Sequence, residues 1–235
     1  MNYPTDSLQH LFDYWWIKDK SNKVQKGSLI YAFVPYVEQV PITLTPVGRK
    51  KADQHDEAKI YISPLRIKDR RPRKDLPVAA LSIHDDEIWT AFRAKKRPCL
   101  VIGEEMPEVA AKLTRNMPKR ATAPTLLVAP YYGAVKYGKR SGYNTAIVER
   151  IRHAEYPQFF WDTLPIPGGI ESILRFDHIQ SIGFHYYAYE LTGFRLSDEA
   201  ISEFLNDWIK WFLFGGLPEK SIILDYQKEI KSIFT

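Results

Sequence analysis

Cysteine is almost absent from these 235 residues. Cys99 stands alone, which excludes an internal disulfide and a cysteine-built zinc site. No apolar run approaches the roughly 18 residues that a membrane-spanning helix needs. The opening segment, Met1 to Gln9, has neither the basic start nor the apolar stretch of a secretory signal. The expectation is a soluble, cytoplasmic protein with no membrane partner. Glycine-rich phosphate loops are missing as well, and Gly168-Gly169 reads as a turn. The histidines show no paired spacing of the zinc-enzyme kind. His178 and His185 lie too far apart on strand-like sequence to share a metal by local geometry. No serine sits in a nucleophile elbow, so hydrolases of those classes are set aside. The excess of one charge sign is small: 33 Lys and Arg against 28 Asp and Glu give +5, which permits a nucleic-acid partner without demanding one. With 45% hydrophobic and 26% charged residues, the composition is that of a folded chain.

Periodicity supplies the elements. Leu8, Leu11, Phe12, Trp15 and Trp16 recur at the spacing of one helix face, with Thr5, Asp6 and Ser7 as capping oxygens. After a polar linker, Lys18 to Gln25, the aromatic-rich run Ser28 to Tyr36 reads as a strand closed by Pro35. Short strands are expected at Ile60–Ile62, Val78–Ile83, Pro98–Ile102, Thr125–Tyr131 and Phe159–Pro165. A longer one is expected at Glu171–Ile182, reached across the turn Pro167-Gly168-Gly169. The proline-broken basic run Arg66 to Lys74 is an exposed loop. Pro107 to Asn116 reads as a helix opened by its proline, and Tyr132 to Tyr143 as a basic, Gly-containing loop or hairpin.

Toward the end, Asp198 to Phe214 forms a long amphipathic helix capped by Ser197. Ile201, Phe204, Leu205, Trp208, Ile209 and Phe212 lie on one of its faces. That face serves either core packing or a contact with a second chain. Gly215-Gly216 ends the helix, and Ile222 to Phe234 makes a last one. Short strands followed by helices point to a small barrel or curved sheet with helical decoration.

One segment carries candidate chemistry. In Glu171 to Ile182 a strand period of two sets Arg175 and Asp177 on one face, with Leu174 and Phe176 on the other. A carboxylate can take the proton of a ribose 2′-OH. A guanidinium can hold the phosphate oxygens with parallel hydrogen bonds as charge builds on them. The plain alternative is a structural Arg–Asp ion pair.

Four segments, in order, resemble the PemK/MazF family of toxins from toxin–antitoxin modules. They are Lys26-Gly27-Ser28-Leu29-Ile30-Tyr31, the Arg-Pro strand Lys96 to Ile102, Pro124 to Pro130, and Glu171 to Ile182 with its Arg-x-Asp at Arg175 and Asp177. Ser28 stands where the family has an acidic residue. Tyr131-Tyr132 stands where many members have a threonine.

The resemblance implies a mainly β fold with helical additions (α+β), an SH3-like barrel of the PemK/MazF type. It implies one domain over 1–235: an N-terminal helix and linker in 1–25, the barrel in 26–183 with an insertion at about 42–96, and a C-terminal helical extension in 184–235. It also implies a homodimer that cuts single-stranded RNA by 2′-OH attack without a metal or other cofactor, held in check by an acidic antitoxin protein. Carried over residue by residue, Arg97 supports the phosphate, Asp177 is the general base and Arg175 stabilises charge. A guanidinium stays protonated near neutral pH and donates its proton poorly.

Tyr132 takes a lesser catalytic part. Tyr131, Lys136, Lys139, Arg140 and His178 are the candidate RNA-binding residues, the tyrosines by stacking on bases and the cations by backbone contacts. His84 is a weaker stand-in for a histidine in a family loop. Two other readings stay open. One is a catalytically silent barrel that binds nucleic acid or protein. The other is a toxin that poisons gyrase through its C-terminal helix.

Overall fold

The computed structural model describes residues 7–49, 51, 53–54, 56–68, 87–103, 112, 125–135, 142–168 and 171–233. Its strands, in chain order, are β1 (Trp16–Lys18), β2 (Ser28–Pro35), β3 (Ile42–Gly48), β4 (Lys59–Pro64), β5 (Trp89–Ala91), β6 (Ala94–Gly103), β7 (Thr125–Gly133), β8 (Phe159–Thr163), β9 (Glu171–Arg175), β10 (Gln180–Gly183) and β11 (Tyr189–Leu196). The helices are α1 (Thr145–Arg152), α2 (Asn206–Phe214), which continues a π-helical stretch Ala200–Leu205, and α3 (Ile222–Ile233). Among the described residues no helix is long and apolar enough to cross a membrane. The chain divides into two compact units, Met1–Phe33 with Lys96–Thr235, and Val34–Lys95.

The first unit is a curled, mainly antiparallel sheet with helices added, in the order β1-β11-β2-β6-β7-β9-β8, with β10 also paired to β7. This is the expected α+β class. Strands β2, β6 and β7 form where apolar runs were read, and both faces of their central residues are covered. Leu29, Ile30, Leu100, Val101, Val128 and Ala129 are all fully buried. β8 and β9 make a hairpin with Trp161 opposite Ile173, returning across Gly168, whose φ of +76° suits glycine.

The expected strand Glu171–Ile182 is not continuous. β9 ends at Arg175, a 3-10 turn covers Phe176–His178, and the chain re-enters the sheet as β10. Both pieces pair with β7: Leu174 faces Tyr131 and Gln180 faces Val128. The five residues 175–179 therefore sit opposite only Ala129 and Pro130. The backbone explains the bulge. Gly27 N–H donates to the Val101 carbonyl at 2.8 Å, so Val101 and Cys99 turn their peptide groups toward β2. Pro130, the partner of Cys99, must turn its own toward the β9–β10 side, where proline has no N–H to offer.

The main core lies between one sheet face and the C-terminal helices. Phe160 is packed by Phe204 at 4.4 Å, Trp208 at 5.1 Å and Trp15 at 5.4 Å between ring centroids. Trp208 is fully buried, and its indole N–H donates to the Pro157 carbonyl at 2.9 Å. Burying rings of this size stabilises by about 1.5–3 kcal/mol each. Ser197 caps the long helix as expected, accepting from Ala200 N–H at 3.1 Å. Core packing is thus the role of Phe204, Leu205 and Trp208. Phe214, beyond them, is 80% exposed.

Three readings of the sequence need correction. The expected helix through Leu8–Trp16 is a 3-10 turn at Leu8–Leu11, after which Trp16 pairs with Leu196 in the sheet. Its apolar spacing did mark burial, since Leu8, Phe12 and Trp15 are all in the core. The edge of β11, however, offers hydrogen bonds that an isolated short helix cannot match. Tyr189–Leu196, inside the segment expected to be helical, is that strand, and it lies between β1 and β2. Helix α1 was not expected at all. Asn144 caps it by accepting from Ala146 N–H at 2.9 Å, and Val148 and Ile151 pack beneath it with Ala134, Trp161 and Ile173.

A carboxylate also lies in the core. Asp162 is fully buried in β8 and accepts hydrogen bonds from Tyr131 Oη at 2.8 Å, Trp16 Nε1 at 3.2 Å and the Gln9 amide. Burial pushes its pKa from 3.8 up to about 6, with these donors restraining the rise.

In the second unit β3 runs between β4 and β5, with Leu44 facing Ile62 on one side and Trp89 on the other. Buried Thr43 donates its hydroxyl to the Ser63 carbonyl at 3.0 Å. The expected strand at Ile60–Ile62 lies in β4. Val78–Ile83, His84 and residues 69–74 of the basic run lie outside the described residues. So does the expected helix Pro107–Asn116, apart from Lys112.

Candidate functional site

Strand register builds this site. β6, β7, β9 and β8 are consecutive neighbours in the sheet. Cys99 is paired with Pro130, so two residues further along each strand Arg97 comes level with Tyr132. Tyr132 in turn faces Ile173, and Arg175 faces Phe159. Alternation then sets Arg97, Tyr132, Arg175 and Phe159 on one face of the sheet. This is the face opposite the main core, beside the cluster under α1.

The side chains meet there. The Arg97 guanidinium carbon lies 3.9 Å from the Tyr132 ring centroid, and that of Arg175 lies 5.5 Å from the same centroid. Arg175 also stacks on Phe159 at 4.8 Å. Its N–H groups are committed on three sides. Nε donates to Asp177 Oδ1 at 2.6 Å and Nη2 to Asp177 Oδ2 at 2.5 Å, a bidentate pair. Nη1 donates to Tyr143 Oη at 3.0 Å, and Nη2 lies 2.9 Å from His178 Nε2. Burial alone would lower the pKa of Arg175, but its hydrogen bonds to Asp177 and Tyr143 outweigh it and drive it up. The charge on Arg175 is permanent.

That charge bears on His178. A guanidinium only donates, so the Arg175 contact is a hydrogen bond only with Nε2 as the acceptor, which places the ring proton on Nδ1. Nδ1 stands 2.8 Å from Tyr132 Oη, and its N–H therefore donates to the phenol oxygen. The Tyr132 hydrogen then has to be given to a different acceptor.

Residues close in sequence to this group, and one far from it, complete the setting. The 3-10 turn forced opposite Pro130 carries Asp177 back over Arg175. The strand spacing of two is not what joins them. Tyr143 and Phe159 were not singled out from sequence. Tyr143 is held just before α1 by its N–H donating to the Ala134 carbonyl at 2.8 Å. Phe159 was readable in principle, because the hairpin around Gly168 sets it opposite Arg175.

Tyr131 is corrected as an RNA-binding residue. Its side chain is 2% exposed and its hydroxyl is given to Asp162, since neighbouring residues on a strand point to opposite faces. Burial first, and then the Asp162 charge, push the Tyr131 phenol well above its usual pKa of 10. Lys136, Lys139 and Arg140 lie outside the described residues. Cys99 is fully buried, and burial raises its thiol to about 12, so it is no nucleophile. Among the described residues no group of three or more His, Cys, Asp and Glu side chains is arranged to hold a metal ion.

The assembly joins two guanidiniums, two phenols, an imidazole and a carboxylate on one half-open sheet face. Such a set can bind an anion and can exchange protons with it. No protein-family model, curated protein or solved structure matches this chain.

Proposed function

We propose that the chain is a PemK/MazF-like endoribonuclease that cuts single-stranded RNA without a metal. Its sheet is read as an SH3-like barrel of that type, active as a homodimer and inhibited by an acidic antitoxin. One observation carries the reading: Arg97 and Arg175, far apart in sequence, converge on the ring of Tyr132 beside Asp177. A phosphodiester laid against Arg97 has its developing negative charge stabilised by that guanidinium. Asp177 takes the proton of the adjacent 2′-OH, the O2′–P bond forms, and the P–O5′ bond breaks. The products are a 2′,3′-cyclic phosphate and a 5′-OH end. Arg175 holds Asp177 in place and keeps positive charge near the phosphate.

The experiment is cleavage of a mixed-sequence single-stranded RNA by the purified chain, with end-group analysis. Arg97→Ala and Asp177→Asn should each reduce cleavage by about 100-fold or more while melting cooperatively. Full cleavage by both variants refutes the site.

A second reading, a silent RNA-binding module, is favoured by the occupied fork of Arg175, whose bonds to Asp177, Tyr143 and His178 leave little of it for phosphate. It predicts retention of the same RNA, weakening with salt, and no 5′-OH ends at any protein concentration.

A further inference from the structure

We infer that Tyr132 is the general acid of this site, giving its phenolic proton to the departing 5′-oxygen. The inference rests on the endoribonuclease reading above and adds the group that reading leaves unassigned. Cleavage needs a base for the 2′-OH and an acid for the 5′-O, and Asp177 fills only the first role. The two arginines are poor acids because their protons are held too tightly. His178 cannot serve. Its Nε2 accepts from Arg175 at 2.9 Å, and loss of the remaining Nδ1 proton would leave an imidazolate.

Tyr132 is differently placed. Its oxygen receives the Nδ1–H of His178 at 2.8 Å, so its own hydrogen is directed away from His178. When that hydrogen leaves, the phenolate is met by the same Nδ1–H and by the Arg97 guanidinium 3.9 Å from the ring. Both interactions are stronger with the anion than with the phenol, which is what an acid at this position requires. Arg175, at 5.5 Å from the ring, adds to the same field.

The step balances. The 2′-oxygen attacks phosphorus and its proton passes to Asp177. The P–O5′ bond breaks and the 5′-oxygen takes the Tyr132 proton. Asp177 is then a neutral carboxylic acid and Tyr132 a phenolate. Return of one proton from Asp177 to Tyr132 through solvent restores both. In this step His178 is a positioning residue, because it orients the Tyr132 hydrogen and supports the phenolate.

The test uses the full chain with a mixed-sequence single-stranded RNA, and with the same RNA carrying sulfur in place of the bridging 5′-oxygens. A thiolate departs without protonation, so an acid is dispensable on the second substrate. Tyr132→Phe keeps the ring under Arg97 and removes only the proton. It should cut the normal RNA about 100- to 10,000-fold more slowly than wild type and the sulfur-substituted RNA at close to the wild-type rate. Asp177→Asn should remain slow on both. Tyr132→Phe cutting normal RNA at the wild-type rate overturns the inference, as does an equal defect on both substrates. In either case the endoribonuclease reading stands. A wild-type chain inert toward both RNAs overturns that reading and this inference together.

Discussion

Asp162→Asn should flatten a pH dependence that the wild-type protein carries in its core. Burial raises the folded-state pKa of Asp162 from 3.8 to about 6. The folded chain therefore holds this proton more tightly than the unfolded chain does. Stability contributed by the protonated group is fully present below about pH 3.8 and is lost as pH rises through about 6. A gap of that size is worth about 3 kcal/mol in total, of which about 2 kcal/mol falls between pH 4.5 and 7.5. Urea unfolding of both proteins at half-unit steps across that window measures it. Surface carboxylates titrate alike in both, so the difference isolates Asp162. The variant should gain about 2 kcal/mol on wild type as pH rises. Tyr131→Phe, which removes the 2.8 Å donor, should push the Asp162 carboxyl higher still and steepen the loss. Parallel stability profiles for wild type and Asp162→Asn would refute the reasoning, because they would mean the carboxylate ionises in place without penalty.

Two further outcomes follow from the packing. Gly27 has φ +83°, and a Cβ there would lie 2.6 Å from Ile201 Cδ1. Gly27→Ala should therefore cost about 1–3 kcal/mol, read as a lowered melting temperature; an unchanged one would show that the helix start yields freely. The Cys99 thiol, raised to about 12 by burial, should react with a disulfide reagent at pH 8 only as fast as the chain unfolds. A fast stoichiometric burst from the native protein would contradict its placement.

Much of the sheet was legible because β-branched and aromatic runs bounded by Pro and Gly locate strands, and β2, β6, β7 and β8 lie where those runs do. What those runs could not show is which face a residue takes. β7 is buried on both faces around Val128 and Ala129, so its sequence reads as one continuous apolar stretch without alternation. Nothing local then distinguishes Tyr131, which turns to Asp162, from Tyr132, which turns to Arg97. The N-terminal segment failed for a related reason. The spacing of Leu8, Phe12 and Trp15 records that all three are buried, and an i, i+4, i+7 pattern of burial suits a helix. A turn followed by an edge strand satisfies it equally when the rest of the chain supplies the surface.

The site shows the sharper limit. Arg175 and Asp177 were paired from a strand period that would hold them roughly 7 Å apart on a flat face, yet in the folded chain they are joined by two hydrogen bonds across the start of a 3-10 turn. The turn owes its place to Pro130 on the neighbouring strand, whose missing N–H breaks the ladder there. A residue some forty-five positions earlier thus decides whether the carboxylate lies beside the guanidinium or beyond its reach. Local spacing does not carry that information; register does. The same register brings Arg97 level with Tyr132 and Phe159 level with Arg175, so the site's charged and aromatic members depend on strand pairing more than on any motif. Restoring a donor with Pro130→Ala would therefore act on the site through the ladder, drawing residues 175–179 toward regular pairing and loosening the contact between Asp177 and Arg175.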